Sequence, residues 1–305
     1  MTADLLHTWT TARIDEQCRE HWVAYDSAKT AWYTEYFHND SHRHPLKAWS
    51  AKNIACALPP RWEELADLVP TGRHSQHLSG KSSQLLALAL LGASARLDPT
   101  LRWLWEAFSP LQPAKAKRPR GIFEVEVGKD VLNETTGRRT SVDYLVTDPG
   151  VVICIECKWC EEGLGKCSCA SRPGCDPATG ACYAVMRDER PALWATAAER
   201  FGLPALSEGQ PCPLSPVYQA VRNAAAAMNL RPDGGIGVFG LIYDADNPYF
   251  AGCGEWPGWV AVLARALPDV HSDLRFRAVS WQDLMPVLVL DDAARAWAHE
   301  KHGLG

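Results

Sequence analysis

Apolar positions along this chain switch between a helical and a strand period, and the order of the switches predicts a mixed α/β architecture. The segment from Asp15 to Phe37 carries Trp22, Tyr25, Trp32, Tyr33 and Tyr36 at mixed helical spacing, which points to packing rather than chemistry. Residues 1–75 read as a mostly helical N-terminal extension, with a break at Pro59-Pro60, and 76–305 as the main domain. In Leu78-Ser79-Gly80-Lys81-Ser82-Ser83-Gln84, Ser79 or Ser82 is placed to cap a helix, LLALALLGASAR, that is apolar nearly all round. Helix-like PTLRWLWEAF follows. Phe123-Glu124-Val125-Glu126-Val127 then alternates as the first strand of a meander, with its two glutamates sharing a face opposite the valines.

Two more β-type runs lie within Ser141 to Trp159, around the turn Thr147-Asp148-Pro149-Gly150. The second, Val151 to Lys158, is almost continuously apolar until Glu156-Cys157-Lys158. Strand alternation sends Glu156 and Lys158 to one side and Cys157 to the other, and Asp143 on the preceding strand reaches the end of that same face. Carboxylates and a lysine at the end of a buried strand are expensive to desolvate, and a divalent cation would offset the cost. A structural Glu156–Lys158 ion pair is the competing account. Downstream, Ser215 and Pro216 form a helix start, with Gln219 and Arg222 on one helical face. An apolar strand through Val238, helix GWVAVLARAL, strand LRFRAVSW, helix QDLMPVLVL and a terminal helix from Asp291 complete a sheet covered on both faces.

Asp143, twelve intervening residues and then Glu156-x-Lys158 resemble the core of the PD-(D/E)XK, restriction-endonuclease-like, nuclease superfamily; Val142 stands where the name has proline. The Q-x-x-R pair Gln219 and Arg222, on the helix after that strand, extends the likeness over roughly residues 80–290. The resemblance implies a mixed central sheet flanked by helices and a metal-dependent DNA nuclease, an endonuclease of restriction or anti-phage defence. Asp143 and Glu156 would hold Mg²⁺ or Mn²⁺, hard cations suited to oxygen ligands, and Lys158 would orient water and balance charge. Gln219 and Arg222 would position phosphate or brace the acidic cluster. Gln84 matches the polar residue that the helix before the sheet brings towards the metal. A nucleic-acid-binding or assembly protein on the same fold, without catalysis, is the alternative; a homodimer is compatible with either.

Composition changes the picture mainly through cysteine. Of eleven cysteines, six (Cys157, Cys160, Cys167, Cys169, Cys175 and Cys182) fall within 26 residues, which in a reducing compartment points to metal before disulfides. Cys167, Cys169, Cys175 and Cys182 sit in a Gly/Pro/Ser-rich insertion, 160–183, and suit tetrahedral Zn²⁺ in a structural knuckle. Cys160 can replace one of them, because Cys157-x-x-Cys160 also has ligand spacing. An iron–sulfur cluster is the second reading, free thiols a third, and a redox pair at Cys157-x-x-Cys160 a fourth.

Other polar features each carry two readings. His38, His42 and His44 form either a metal site or a polar loop. Lys115, Lys117, Arg118 and Arg120, with Arg138 and Arg139, either hold phosphates or line solvated loops. Glu126 is either an extra metal or water ligand or a residue of a half-exposed strand. Gly235, Gly237 and Gly240 spell G-x-G-x-x-G, but they lie in or just ahead of a strand with no helix beginning there, which excludes a dinucleotide fingerprint. The net charge of −5 gives no global sign of nucleic acid. No apolar run approaches the roughly 18 residues of a membrane span, and the N-terminus lacks a signal-peptide pattern, so a cytoplasmic location is expected.

Overall fold

A computed structural model describes residues 9–40, 64, 68, 82–108, 119–132, 139–165, 201–202, 215–267 and 273–305, with backbone alone at 34, 36–40 and 215. Helix α1 (Thr11–Asp40) comes first. Helix α2 begins as Ser83–Ala87, passes through a π-helical turn at Leu88–Gly92 and ends as Ala93–Leu97. Its N-cap is Ser82, whose hydroxyl accepts from the Leu85 amide at 3.2 Å. Helix α3 (Arg102–Phe108) leads to strands β1 (Arg120–Val127), β2 (Thr140–Asp148) and β3 (Val151–Cys157). A 3₁₀ turn, Ser215–Val217, opens helix α4 (Tyr218–Leu230), followed by β4 (Ile236–Tyr243), α5 (Pro248–Ala251) and α6 (Trp259–Ala266). Strand β5 (Leu274–Ser280), α7 (Trp281–Leu284) and α8 (Asp292–His302) close the chain.

The strands lie side by side in sequence order. β1, β2 and β3 form the expected antiparallel meander, and β4 and β5 join parallel to β3. Parallel neighbours need crossovers, and α4 and α6 lie on those connections. All seven residues of β3 are buried, the pattern of a central strand covered on both faces. Val152 and Cys154 pack with α4 and α6 on one face, whereas Val151, Ile153, Ile155 and Cys157 pack with α2, α3 and α7 on the other. Helix α4 can approach the sheet closely because it presents Ala224, Ala225, Ala226 and Ala227, all fully buried. A Cβ on Gly237 would stand 2.5 Å from the Ala227 carbonyl oxygen, so this glycine serves helix–sheet packing and no phosphate.

Helix α1 contributes Ile14, Cys18, Tyr25 and Tyr33 to the buried interior. Tyr25 Oη lies 2.7 Å from the wholly buried Asp244 carboxylate, which also pairs with Lys29 at 2.8 Å. The Sγ atoms of Cys18 and Cys253 stand 2.6 Å apart.

Two expectations are corrected. QDLMPVLVL is not one helix: α7 stops at Leu284 and a 3₁₀ turn, Met285–Val287, follows. Pro286 has no amide to donate and clashes with the carbonyl four residues back, which prevents an α-helix from continuing. Strand β1 does not alternate cleanly either. Phe123 packs on the α2–α3 face, whereas Val125 and Val127 pack on the α4–α6 face. The reversal falls at Glu124, whose φ of 49° is left-handed, a conformation that costs a non-glycine residue roughly 1–2 kcal/mol. Glu124 and Glu126 therefore do not share a face of a regular strand.

Candidate active site

Asp143 sits where the sheet's hydrogen bonding gives way. The β1–β2 ladder pairs Phe123 with Tyr144 and Val125 with Val142 but skips Glu124 and Asp143 between them. The β2–β3 ladder stops at Tyr144 and Ile155, one residue short of Asp143 and Glu156. In place of a backbone partner, the Cys157 amide donates to Asp143 Oδ2 at 2.7 Å. The two carboxylates thus flank a splay between strands, where side chains rather than backbone satisfy the polar groups.

Glu156 is 2% exposed and accepts three bonds. Lys158 Nζ approaches Oε1 at 2.9 Å and Gln219 Nε2 donates to the same oxygen at 2.5 Å. Asn223 Nδ2 donates to Oε2 at 2.6 Å. Lys158 in turn donates to Gln219 Oε1 at 3.0 Å, closing a ring of three side chains. Gly165, with φ of 81°, permits this arrangement, since a Cβ there would lie 2.6 Å from Gln219 Oε1. Removing one member of so buried a pair costs roughly 3–5 kcal/mol, because the other charge is left uncompensated.

Charge state follows from the same neighbours. Burial pushes the Asp143 carboxyl well above the ordinary aspartate range, and Glu156 and Glu124 push it further; Lys158 and the Cys157 amide oppose them. Burial alone would discharge the Lys158 ammonium, but Glu156, Glu161 and Asp143 outweigh it, and the pKa is raised. Lys158 is therefore a fixed cation beside two carboxylates, suited to balancing charge and unsuited to taking a proton. Burial and the nearby Asp143 and Glu156 also raise the Cys157 thiol well above its ordinary range.

The structure brings together Asp143, Glu156, Lys158 and Gln219. Arg222 is buried one turn beyond Tyr218, donating to its hydroxyl at 2.9 Å with the guanidinium 5.3 Å from the ring centre. Gln84 is buried in the first turn of α2, and its neighbour Ser83 bonds Glu161, whose other oxygen accepts from the Trp159 amide at 2.5 Å. Glu126 has a side chain 66% exposed and lies 3.6 Å from Arg139, the arrangement of an exposed edge. Sequence reasoning passed over Asn223 and Glu124. The signal for Asn223 was available, because it lies four residues after Gln219 on the same helical face.

Cys167, Cys169, Cys175 and Cys182 lie outside the described residues, as do His42, His44, Lys115, Lys117, Arg118, Arg138 and the His38 side chain. Cys160 is described: burial pushes its thiol up to about 12, and the Tyr25 hydroxyl lies 3.7 Å away. Among the described residues no three His, Cys, Asp or Glu side chains form a ready metal cage, and no helix is long and apolar enough to cross a membrane. The donor set still fits Mg²⁺ or Mn²⁺, since such cations commonly take one or two carboxylates and keep several waters. Asn223 Oδ1, buried beside Glu156 without a hydrogen-bond partner among the described residues, is a further oxygen of the right kind.

The sheet order, the D-x₁₂-E-x-K hairpin and the helix that braces it define a restriction-endonuclease-like protein. The chain belongs to the family described as Restriction Endonuclease associating with ARP, which matches residues 21–300. The match begins within α1 and ends within α8, so it takes in every strand and part of each terminal helix. No curated protein and no solved structure matches the chain.

Proposed function

We propose that the protein is a Mg²⁺- or Mn²⁺-dependent deoxyribonuclease that hydrolyses phosphodiester bonds internally, in a restriction or defence setting. The observation that carries this reading is the buried Glu156–Lys158–Gln219 ring at a strand splay, with Asp143 held beside it by the Cys157 amide. Asp143 and Glu156 would hold the cation, which supplies Lewis acidity at the scissile phosphate. Lys158, kept charged by its neighbours, neutralises negative charge developing on the phosphoryl oxygens. Gln219 fixes the lysine and the glutamate relative to each other, so neither must reorganise during reaction. Arg120 and Arg139, flanking the β1–β2 edge, are available to the DNA backbone. The family is described as associating with ARP, which supports action alongside ARP.

A non-catalytic DNA-binding reading has one observation in its favour: both Glu156 oxygens are already taken by Lys158, Gln219 and Asn223. Incubating supercoiled plasmid with the protein in Mg²⁺, Mn²⁺ or EDTA separates the two. Nicked and linear products with either cation, and none in EDTA, support the nuclease. Retarded but intact plasmid in all three supports the binding module.

A further inference from the structure

Glu124 occupies a position that the D-x₁₂-E-x-K hairpin does not contain. It lies directly across the ladder from Asp143, bracketed by the Phe123–Tyr144 and Val125–Val142 pairs, yet forms no ladder pair itself. Its left-handed backbone separates Phe123 on one face of the sheet from Val125 and Val127 on the other. Ser141 Oγ donates to Glu124 Oε2 at 3.1 Å, tying the carboxylate to the strand that carries Asp143. Its charge is felt by both Asp143 and Cys157. A backbone conformation that glutamate rarely adopts, opposite the acidic residue of a candidate site, is the kind of feature that persists where the surroundings hold it for a purpose. A second and independent sign of a ligand is the wholly buried Asn223 Oδ1, left without a hydrogen-bond partner among the described residues while its amide nitrogen holds Glu156.

We propose that Glu124 is a third carboxylate of the cation centre, acting through the water shell of a divalent ion held by Asp143 and Glu156. The inference rests on the nuclease reading and deepens it. Because no three acidic side chains among the described residues converge for direct ligation, the role of Glu124 is to position the ion's water. Its half-buried side chain suits that role. Outer carboxylates of this kind commonly change metal affinity by roughly 10- to 100-fold when removed.

The test is titration of the full chain with MnCl₂ alone, followed by Mn²⁺ electron paramagnetic resonance. Wild type is compared with Glu124→Gln, Glu126→Gln and Glu156→Gln, and each melting temperature is recorded without metal. The expected result is a loss of roughly 10-fold or more in Mn²⁺ affinity for Glu124→Gln at unchanged melting temperature. Glu126→Gln should bind as wild type does. If Glu124→Gln folds poorly, Glu124→Asn removes the carboxylate while suiting the left-handed backbone, and the same loss is expected. Wild-type affinity in the Glu124 variants, with binding abolished by Glu156→Gln, would overturn this assignment and leave the nuclease reading standing. A folded wild type that binds no Mn²⁺ would overturn both.

Discussion

Asn223 donates its side-chain amide to Oε2 of Glu156 at 2.6 Å, from a helix otherwise noted in the sequence for its Q-x-x-R pair. Gln219 and Asn223 are four apart and meet the acidic centre together, whereas Arg222 falls on the neighbouring stripe with Tyr218. This divides α4 into a stripe that holds Glu156 and a stripe that packs beside it.

The first stripe predicts that Asn223→Ala is costly, because it strips a donor from a buried carboxylate. A loss of roughly 1–3 kcal/mol is expected from the urea midpoint, with a drop in any cleavage activity. Asn223→Asp should be worse than Ala, since it places a like charge against Glu156. Equal stability of the Asp variant and wild type would contradict the arrangement.

The second stripe predicts that Arg222→Ala lowers the melting temperature by several degrees as well as impairing function. Arg222 is 5% exposed and its guanidinium sits on the Tyr218 hydroxyl and ring. Arg222→Lys should recover only part of the loss, because the planar fork and its stacking are not reproduced. An unchanged melting temperature in the alanine variant would assign Arg222 to DNA contact alone.

His302 gives the fold a pH dependence on its acid side. The ring is buried among Trp159, Trp297 and Tyr33, with Tyr33 Oη 3.0 Å from Nδ1. Burial, then Lys301 on α8 and Lys29 on α1, hold its pKa well below the ordinary histidine value. The native ring stays neutral while the unfolded one gains a proton near pH 6.5, so this contribution is complete above that pH and is lost as pH falls. The unfolding free energy from urea titrations between about pH 7.5 and 5.5 should decline, its slope approaching about 1.4 kcal/mol per pH unit below the unfolded pKa. His302→Asn should flatten the decline. A variant as acid-sensitive as wild type would exclude the histidine as its source.

Elemental analysis addresses the cysteine-rich insertion. One zinc per chain, lost when Cys167 and Cys169 are replaced by serine, is the expected outcome. Iron with absorbance near 400 nm would assign the cluster reading, and neither metal would leave free thiols.

Much of the centre was legible because its parts are contiguous or lie on one element. Asp143, Glu156 and Lys158 are carried by one hairpin whose turn residues and apolar runs are strong local signals, and Gln219 follows at a well-marked helix start. Glu124 was hidden because an alternating pattern presumes a continuous extended backbone, and no residue type there announces a left-handed turn. The role of α1 was hidden for a different reason. Tyr25, Lys29 and Tyr33 find partners at Asp244, Trp159 and His302, more than a hundred residues away, and polar–aromatic spacing reports only that a helix forms. In QDLMPVLVL the proline was visible, and its interruption of the helix outweighed the surrounding apolar pattern.

Asp143→Asn tests the central claim most directly, because the substitution keeps the shape of the side chain and its bond to the Cys157 amide while removing the charge that burial disfavours. Plasmid cleavage by wild type and this variant should be followed in Mg²⁺ and Mn²⁺, beside the melting temperature of each without metal. The account predicts cation-dependent cutting by wild type, its loss in Asp143→Asn, and a variant at least as stable as the parent. Cutting that survives the substitution, or wild type that leaves DNA intact with both cations, would contradict it.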